Sequence, residues 1–368
     1  VGVRNKSNFR HKKRDKIIYF YRCKKIMNEE RRENWLSSRR QRRNVSIDML
    51  AAAILRGDRQ ALGRGITLVE STNSDDRKKA LELLEKTKVV KTNTIRIGIT
   101  GVPGVGKSTF IESFGMYLLS QGKRVAVLAV DPSSTRNKGS ILGDKTRMNE
   151  LSQQENVFIR PSPSGGTLGG LARSTNESIL LCESAGYDVI LVETVGVGQS
   201  ETMVKQSVDF FLLLMLAGAG DELQGIKRGI MELADLLVIT KADGDNLEAA
   251  KRAAAEYKNA MHLFPPNDNG WIPGTTVCSA IEKRGLDEIW KQIESFVNLT
   301  TINGWYEHNR KQQQLFWLEQ SIQNEILEHF RKNERFIHLM HRAELAIAEQ
   351  KSNAFVLAQE IVSEIFNT

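Results

Sequence analysis

The sequence predicts an α/β fold, a mainly parallel sheet with helices on both faces. Between Thr94 and about Phe296, short apolar runs alternate with polar, helix-patterned stretches. That is the pattern of strands buried on both faces and joined by crossover helices. One run, Thr94 to Thr100, leads into Gly101-Val-Pro-Gly-Val-Gly-Lys-Ser-Thr109, after which Phe110, Phe114 and Leu118 recur at helical spacing. Strand, Gly-x-x-x-x-Gly-Lys-Ser, helix is the context a phosphate-binding loop requires. No apolar run approaches the roughly 20 residues needed to span a bilayer. The longest, Phe210 to Ala219, reads as a buried central strand.

The 368 residues carry a net charge of +8, but unevenly. Residues 1–43 hold 16 Lys/Arg against four Asp/Glu, and the remainder is mildly acidic, with 36 against 40. The basicity therefore belongs to one tail, which argues against nucleic-acid binding by the body. Residues 1–44 read as a disordered or start-site extension, with Met27 a candidate start. An organelle leader or a nucleic-acid or membrane arm are the competing readings. Asp15, Glu29, Glu30 and Glu33 fit a transit peptide poorly. Cys23, Cys182 and Cys278 show neither metal-ligand spacing nor a disulfide framework. A reducing compartment follows, the cytoplasm, or the mitochondrial matrix if residues 1–43 are a leader.

Residues 45–92 form a helical segment. Ser46 or Asp48 caps a first helix through Met49, Leu50 and Ile54, ending near Gly57. Asp58 caps a second through Leu62, Ile66 and Val69, and a third runs from about Asp75 to Thr87 with Leu81 and Leu84 on one face. Residues 93–300 form the main domain. After the first strand, its further strands are Arg124–Val130, Val157–Ile159, Tyr187–Glu193, Val208–Leu216, Leu236–Thr240 and Thr275–Ser279. Ligand groups belong at their carboxyl ends. Residues 301–368 are a helical arm. Leu315, Leu318, Ile322, Ile326 and Phe330 make one stripe, and Ser352 caps a last helix. That stripe either packs on the main domain or dimerises.

Chemistry concentrates at the strand ends. Gly101, Gly104 and Gly106 let the backbone wrap a polyphosphate, with Val102, Pro103, Val105 and Thr109 completing the loop. Lys107 reaches the β- and γ-phosphates and Ser108 binds Mg²⁺. Asp131, in Asp-Pro-Ser-Ser134 after the second strand, is a metal or water-positioning carboxylate, or else a turn cap. Asp144, in Gly143-Asp-Lys-Thr-Arg147, approaches the metal from a loop suited to ordering on the γ-phosphate. Glu193-Thr-Val-Gly196 supplies a second metal-side carboxylate acting through water, and the Gly196 N–H faces the γ-phosphate. Glu stands where Asp is usual, displacing the carboxylate by roughly 1.5 Å, a step a bridging water absorbs. The candidate catalytic residues are Lys107, Asp131 and Glu193, and the metal set is Ser108, Asp131, Asp144 and Glu193.

Thr240-Lys-Ala-Asp243 reads guanine. The Lys241 stem stacks along the ring, and Asp243 accepts from N1–H and the 2-amino group. Adenine offers neither donor, and a site built on such bonds discriminates by ~10⁴ or more. Thr240 keeps a hydroxyl where the more usual Asn braces the loop, and weaker base affinity is expected. Ser279-Ala280 fits the companion loop whose N–H meets guanine O6. Gly218-Ala-Gly-Asp-Glu-Leu-Gln-Gly-Ile-Lys227 reads as a further switch toward a partner.

Together with Ile66–Ser71, Gly139–Met148 and Arg160–Gly170, these stretches resemble the MeaB/ArgK family, the GTPase chaperones of adenosylcobalamin-dependent acyl-CoA mutases, which includes the mitochondrial methylmalonic aciduria type A protein. The resemblance covers about residues 46 to 330. It implies a P-loop NTPase fold of the SIMIBI type, GTP/GDP and Mg²⁺ as ligands, and slow hydrolysis stimulated by the mutase. It further implies a homodimer with a C-terminal arm, and gating of adenosylcobalamin loading and protection of methylmalonyl-CoA mutase or a relative. Asp131, Asp144 and Glu193 would then surround the metal, and Asp221–Lys227 would signal. Thr135-Arg-Asn-Lys138 is more basic than the family stretch. The competing class is an ATP-dependent kinase or transport ATPase of the LAO/AO (ArgK) description. A nickel-insertion GTPase lacks its Cys/His site here.

Overall fold

The computed structural model describes residues 46–89, 93–130, 148–161, 168–194, 200–218, 228–264 and 267–366. Three helices come first: α1 (Ile47–Leu55), α2 (Arg59–Val69) and α3 (Ser74–Lys86). The sheet region follows as β1 (Ile95–Gly101), α4 (Lys107–Ser120), β2 (Val125–Val130), α5 (Asn149–Ser152), β3 (Val157–Arg160), α6 (Leu168–Ser184) and β4 (Val189–Thr194). It continues through α7 (Ser200–Lys205), β5 (Phe210–Leu216), α8 (Arg228–Leu233), β6 (Leu236–Thr240), α9 (Leu247–Met261), β7 (Gly274–Val277) and α10 (Leu286–Ile302). The arm is α11 (Trp305–Lys332), α12 (Glu334–Ala348) and α13 (Ala354–Phe366).

The seven strands form one sheet in the order β3-β2-β4-β1-β5-β6-β7. Every pairing is parallel, from Val125 opposite Val157 at one edge to Leu236 opposite Gly274 at the other. Side-chain alternation sorts the strand residues between two faces. Ile97, Ile99, Val189, Leu191, Phe210, Leu212 and Val238 pack beneath Phe110, Phe114 and Leu118 of α4 and Ile289, Ile293 and Phe296 of α10. Phe296 anchors this side, edge-on to Phe210 at 5.0 Å, Trp271 at 5.6 Å and Trp305 at 6.0 Å. On the other face, Ala126, Leu128, Ile190, Val192 and Phe211 share a core with α1, α2, α3 and α6. Nearby, Leu213, Met215, Leu237 and Ile239 meet Ala250, Ala253 and Tyr257 of α9. The N-terminal helices are thus part of the sheet's own cover.

Their capping follows the sequence, with one addition. Ser46 Oγ accepts from the Met49 amide at 3.2 Å, and Asp58 accepts from the Gln60 and Ala61 amides at 2.8 and 2.9 Å. Asn73 caps α3, which starts at Ser74, just ahead of the expected position. One face assignment needs correction. Leu81 points outward, 49% exposed, and the buried residues of α3 are Ala80 and Leu83, with Leu84 partly buried against the same core. The small Ala80 is what lets α3 approach its neighbours, and Leu81 lies a helical step away from that contact. The expected cap of the last helix also moves by one: Asn353, not Ser352, accepts from the Phe355 and Val356 amides at 3.0 Å. Strand ends differ from expectation by one or two residues, with the centres unchanged.

Helix α11 docks on the feet of the central strands. Arg310 donates to both oxygens of Asp209, at 2.8 and 2.6 Å, and to the Thr94 carbonyl at 2.6 Å. Tyr306 donates to Asp209 at 2.9 Å. Asp209 also accepts from the Arg96 amide at 2.8 Å, and the Arg96 guanidinium forms a two-pronged pair with Glu183 at 2.8 and 2.7 Å. One helical turn on, Gln313 donates to the Val208 carbonyl at 2.7 Å, and a turn further Trp317 donates to that of Gln206 at 2.9 Å. The expected apolar stripe lies elsewhere on α11. Leu315, Leu318, Ile322 and Ile326 remain about half exposed, so the first part of the helix packs on the main body through Trp305, Trp317 and these polar groups instead.

Candidate nucleotide site

Four of the predicted turns emerge at the carboxyl ends of neighbouring strands. The phosphate loop follows β1, Glu193 is the penultimate residue of β4, Thr240 ends β6, and Ser279 follows β7 by two residues. Sheet order puts β4, β1, β5, β6 and β7 side by side, so these groups share one rim. Ligands of open parallel sheets bind along such a rim.

The loop's glycines are needed where they stand. A Cβ on Gly101 would lie 2.4 Å from the Leu214 carbonyl of β5, and Gly106, at φ 92°, turns the chain into α4. Val105 is buried in the core and holds the loop from below, while Pro103, Gly104 and Thr109 face solvent. The first amides of α4, Lys107 and Ser108 among them, have no partners one turn back and carry the positive end of the helix dipole.

Lys107 Nζ donates to the Gly101 carbonyl at 2.9 Å and lies 3.4 Å from that of Val102, folded across its own loop. Burial lowers its pKa from 10.5, and the negative charges of Glu193 and Glu201 act in the opposite direction. Ser108 Oγ donates to Glu193 Oε1 at 3.3 Å. A hydroxyl and a carboxylate at this spacing are hard oxygen donors suited to Mg²⁺, which keeps several of its waters and needs few protein ligands. Asp131, Asp144 and Gly196 lie outside the described residues, as do Lys145, Arg147 and 219–227 of the predicted switch. Among the described residues no three His, Cys, Asp or Glu cluster as a metal site.

Thr240, Asp243 and Ser279, three of the base-loop candidates, lie together at the ends of β6 and β7. Thr240 is buried, and its Oγ1 donates to the Val105 carbonyl of the phosphate loop at 2.8 Å. The hydroxyl thus takes on a bracing contact that the sequence alone assigned to an absent amide. Lys241 adopts φ 54°, uncommon for a residue with a Cβ. Its Cε stands 4.0 Å from where a Cβ on Gly106 would be, so the stem lies over the phosphate loop. Ser279 Oγ donates to Asp243 Oδ2 at 3.1 Å, and the Ala280 carbonyl accepts from Ser113 Oγ of α4 at 2.8 Å. The Ala242 amide donates to the Cys278 carbonyl at 3.1 Å, joining the base loop to the turn after β7.

Glu201 was not among the sequence candidates. It is fully buried in the first turn of α7, and its charge, with that of Glu193, opposes the burial that lowers the Lys107 pKa. Its one sequence signal is an acidic residue opening the helix directly after the Glu193–Gln199 stretch.

Comparison with known proteins agrees with this geometry. The model of the family described as methylmalonyl Co-A mutase-associated GTPase MeaB matches residues 62–335. A putative GTPase of Caulobacter vibrioides is 49% identical over 319 residues, covering 87% of this chain and 98% of that protein. The mitochondrial methylmalonic aciduria type A homolog of Mus musculus is 46% identical over 315 residues, covering 83% and 75%. Among solved structures, one described as a LAO/AO transport system kinase superposes with a TM-score of 0.69 at 40% identity, covering 88% of this chain and 99% of that one.

Proposed function

The chain belongs to the family of methylmalonyl-CoA mutase-associated GTPases, and on that premise we propose that it binds GTP with Mg²⁺ and hydrolyses it to GDP and phosphate. The observation that carries this reading is the meeting, on one rim, of the Ser108–Glu193 pair and the Ser279–Asp243 pair. One end suits a metal-bound triphosphate and the other the edge of guanine.

Each residue has a definite task. Lys107 exchanges the Gly101 carbonyl for phosphate oxygens, whose charge offsets the burial that disfavours its ammonium. Ser108 and Glu193 would hold the metal, with Asp131 and Asp144 as further candidate ligands. Mg²⁺, when bound, neutralises charge on the β- and γ-oxygens. Lys107 and the α4 amides stabilise charge developing during transfer, and the Gly196 amide faces the γ-phosphate. Asp243, held by Ser279, accepts from guanine N1–H and the 2-amino group, and the Ala280 turn meets O6.

Hydrolysis serves as a conformational clock. The state of the nucleotide passes through residues 219–227 to an adenosylcobalamin-dependent acyl-CoA mutase, gating cofactor loading. This client is supported by the family description and the mouse relative's name. The chain acts as a homodimer through its C-terminal arm, in a reducing compartment such as the cytoplasm, consistent with Cys182 and Cys278 as buried free thiols. Among the described residues no helix is long and apolar enough to cross a membrane. The division into a helical segment (45–92), a GTPase domain (93–300) and an arm (301–368) belongs to the same reading.

The test is co-purification of the full chain with a B12-dependent mutase in GDP and in a non-hydrolysable GTP analogue. Nucleotide-dependent association is expected, and no association in either state would overturn the client. The similarity, at 40% identity, to a solved transport system kinase supports a second reading, an ATP-dependent kinase or transport ATPase. Asp243 opposes it, since adenine would leave that carboxylate unpaired. ATP competing as well as GTP would favour the second reading.

A further inference from the structure

We infer that Glu282 and Arg284 are positioning residues for guanine, a clamp that fixes the direction in which Asp243 presents its carboxylate. The inference deepens the guanine-nucleotide reading above and rests on it. The clamp starts from a tight reversal after β7. The Ser279 amide donates to the Arg284 carbonyl and the Arg284 amide to the Ser279 carbonyl, each at 3.0 Å, so residues 280–283 close a loop. Lys283 takes φ 53° within it. Gly285 then lies so near β7 that a Cβ would stand 2.4 Å from the Val277 carbonyl. The loop is thus pressed onto the strand end, and Leu286 behind it is buried.

Two side chains of this loop reach the base loop. The Gly244 amide donates to Glu282 Oε1 at 3.3 Å, and Arg284 Nη2 donates to the Ala242 carbonyl at 2.5 Å. The same guanidinium nitrogen lies 2.8 Å from Glu282 Oε2, which joins the two halves. The Ala242 carbonyl belongs to the peptide group before Asp243, and the Gly244 amide to the one after it. Each peptide group is planar and rigid, so holding both fixes the direction of the Asp243 Cα–Cβ bond. From that anchor the carboxylate meets Ser279 Oγ at 3.1 Å. The Glu282 amide donates to the Ser279 hydroxyl oxygen at 3.1 Å, which leaves the hydroxyl proton for Asp243. The Glu282 and Arg284 side chains are 42% and 48% exposed, and an exposed pair adds little to folding. What the pair sets is the aim of a carboxylate that must meet two guanine donors at once, N1–H and the 2-amino group.

The experiment is titration calorimetry on the full chain with Mg²⁺ and GTP, ITP or inorganic tripolyphosphate. Hypoxanthine keeps N1–H and lacks the 2-amino group. ITP therefore makes one bond to Asp243 where GTP makes two, and tripolyphosphate makes none. Arg284→Met and Glu282→Ala each open the clamp. At about threefold per hydrogen bond, each should weaken GTP by about tenfold and ITP by about threefold, and leave tripolyphosphate unchanged. The ratio of GTP to ITP affinity then falls, which a general loosening of the site would not produce. Because the two residues act as one unit, the double variant should lose no more than the worse single. If Arg284→Met does not fold, as judged by near-ultraviolet circular dichroism, Glu282→Ala carries the same readout. With GTP preferred by the parent, an unchanged ratio in the variants would overturn the clamp alone. So would an equal loss for tripolyphosphate, or additive losses in the double variant. A parent that holds GTP no tighter than ITP would strike the guanine-nucleotide reading itself, and the clamp would fall with it.

Discussion

Lys107 donates to its own loop's carbonyls, in a place where a phosphate would be the better acceptor. Lys107→Ala should therefore weaken GTP and lower single-turnover phosphate release by about a hundredfold or more, the scale of losing a charge-stabilising donor. Unchanged release would remove Lys107 from the reaction. Asp243→Asn reverses one hydrogen-bond polarity and should move preference from guanine toward xanthine, measured as the ratio of GTP to XTP affinity. An unchanged ratio would end the base-loop assignment. Both residues were legible because their motifs are contiguous and flanked by recognisable strands. Glu201 was not, because its importance depends on burial beside Lys107, and burial of a helix-opening acid leaves no mark in the local pattern. The same holds for the Thr240–Val105 contact, made across 135 positions of sequence.

Among elements, α11 is the one whose seating depends most on a buried charge. Burial alone would push the Asp209 carboxyl up, but Arg310 and Arg96 outweigh it and hold the pKa below 3.8. A depressed acid contributes stability above its unfolded value and loses it as pH falls through the folded one. That contribution is therefore present above about pH 4 and lost below it. Arg310→Met leaves Asp209 buried without its main partner. It should cost about 3–5 kcal/mol in urea unfolding near neutral pH, and because burial then raises the Asp209 carboxyl, the gap between variant and parent should narrow as acidification protonates it. A loss below about 1 kcal/mol, typical of exposed pairs, would show that the ion cluster does not seat the helix. The sequence marked α11 as helical and amphipathic, but periodicity finds only apolar faces. It could not show that Arg310, Gln313 and Trp317 make a second, polar face. The strand centres were legible for the opposite reason: they are apolar on both sides, so no competing pattern obscures them.

At the scale of the whole molecule, the arm carries more apolar surface than one chain covers. Leu315, Leu318 and Ile322 are 58%, 57% and 51% exposed on α11, and Phe355 of α13 is 87% exposed. Between α12 and α13 the fully buried apolar set is only Leu339, Ala343 and Ile361. So small a core does little to hold two helices of 15 and 13 residues together, and burying the exposed stripe would add to it. The sequence left open whether the stripe packed inward or onto a second copy. In the single chain it does not pack inward, because the polar face of α11 has that role. A symmetric pairing of two such arms would bring identical apolar patches together, and a stable pairing should bury upward of about 1,000 Å². Leu318→Glu together with Ile322→Glu should then halve the mass found by sedimentation equilibrium at micromolar protein. Both positions are solvent-facing within one chain, so the melting of the GTPase core and intrinsic GTP hydrolysis should change little. A double variant that kept the parent's mass would place any dimer interface elsewhere, and a parent that is already monomeric would leave the stripe free for the proposed mutase client.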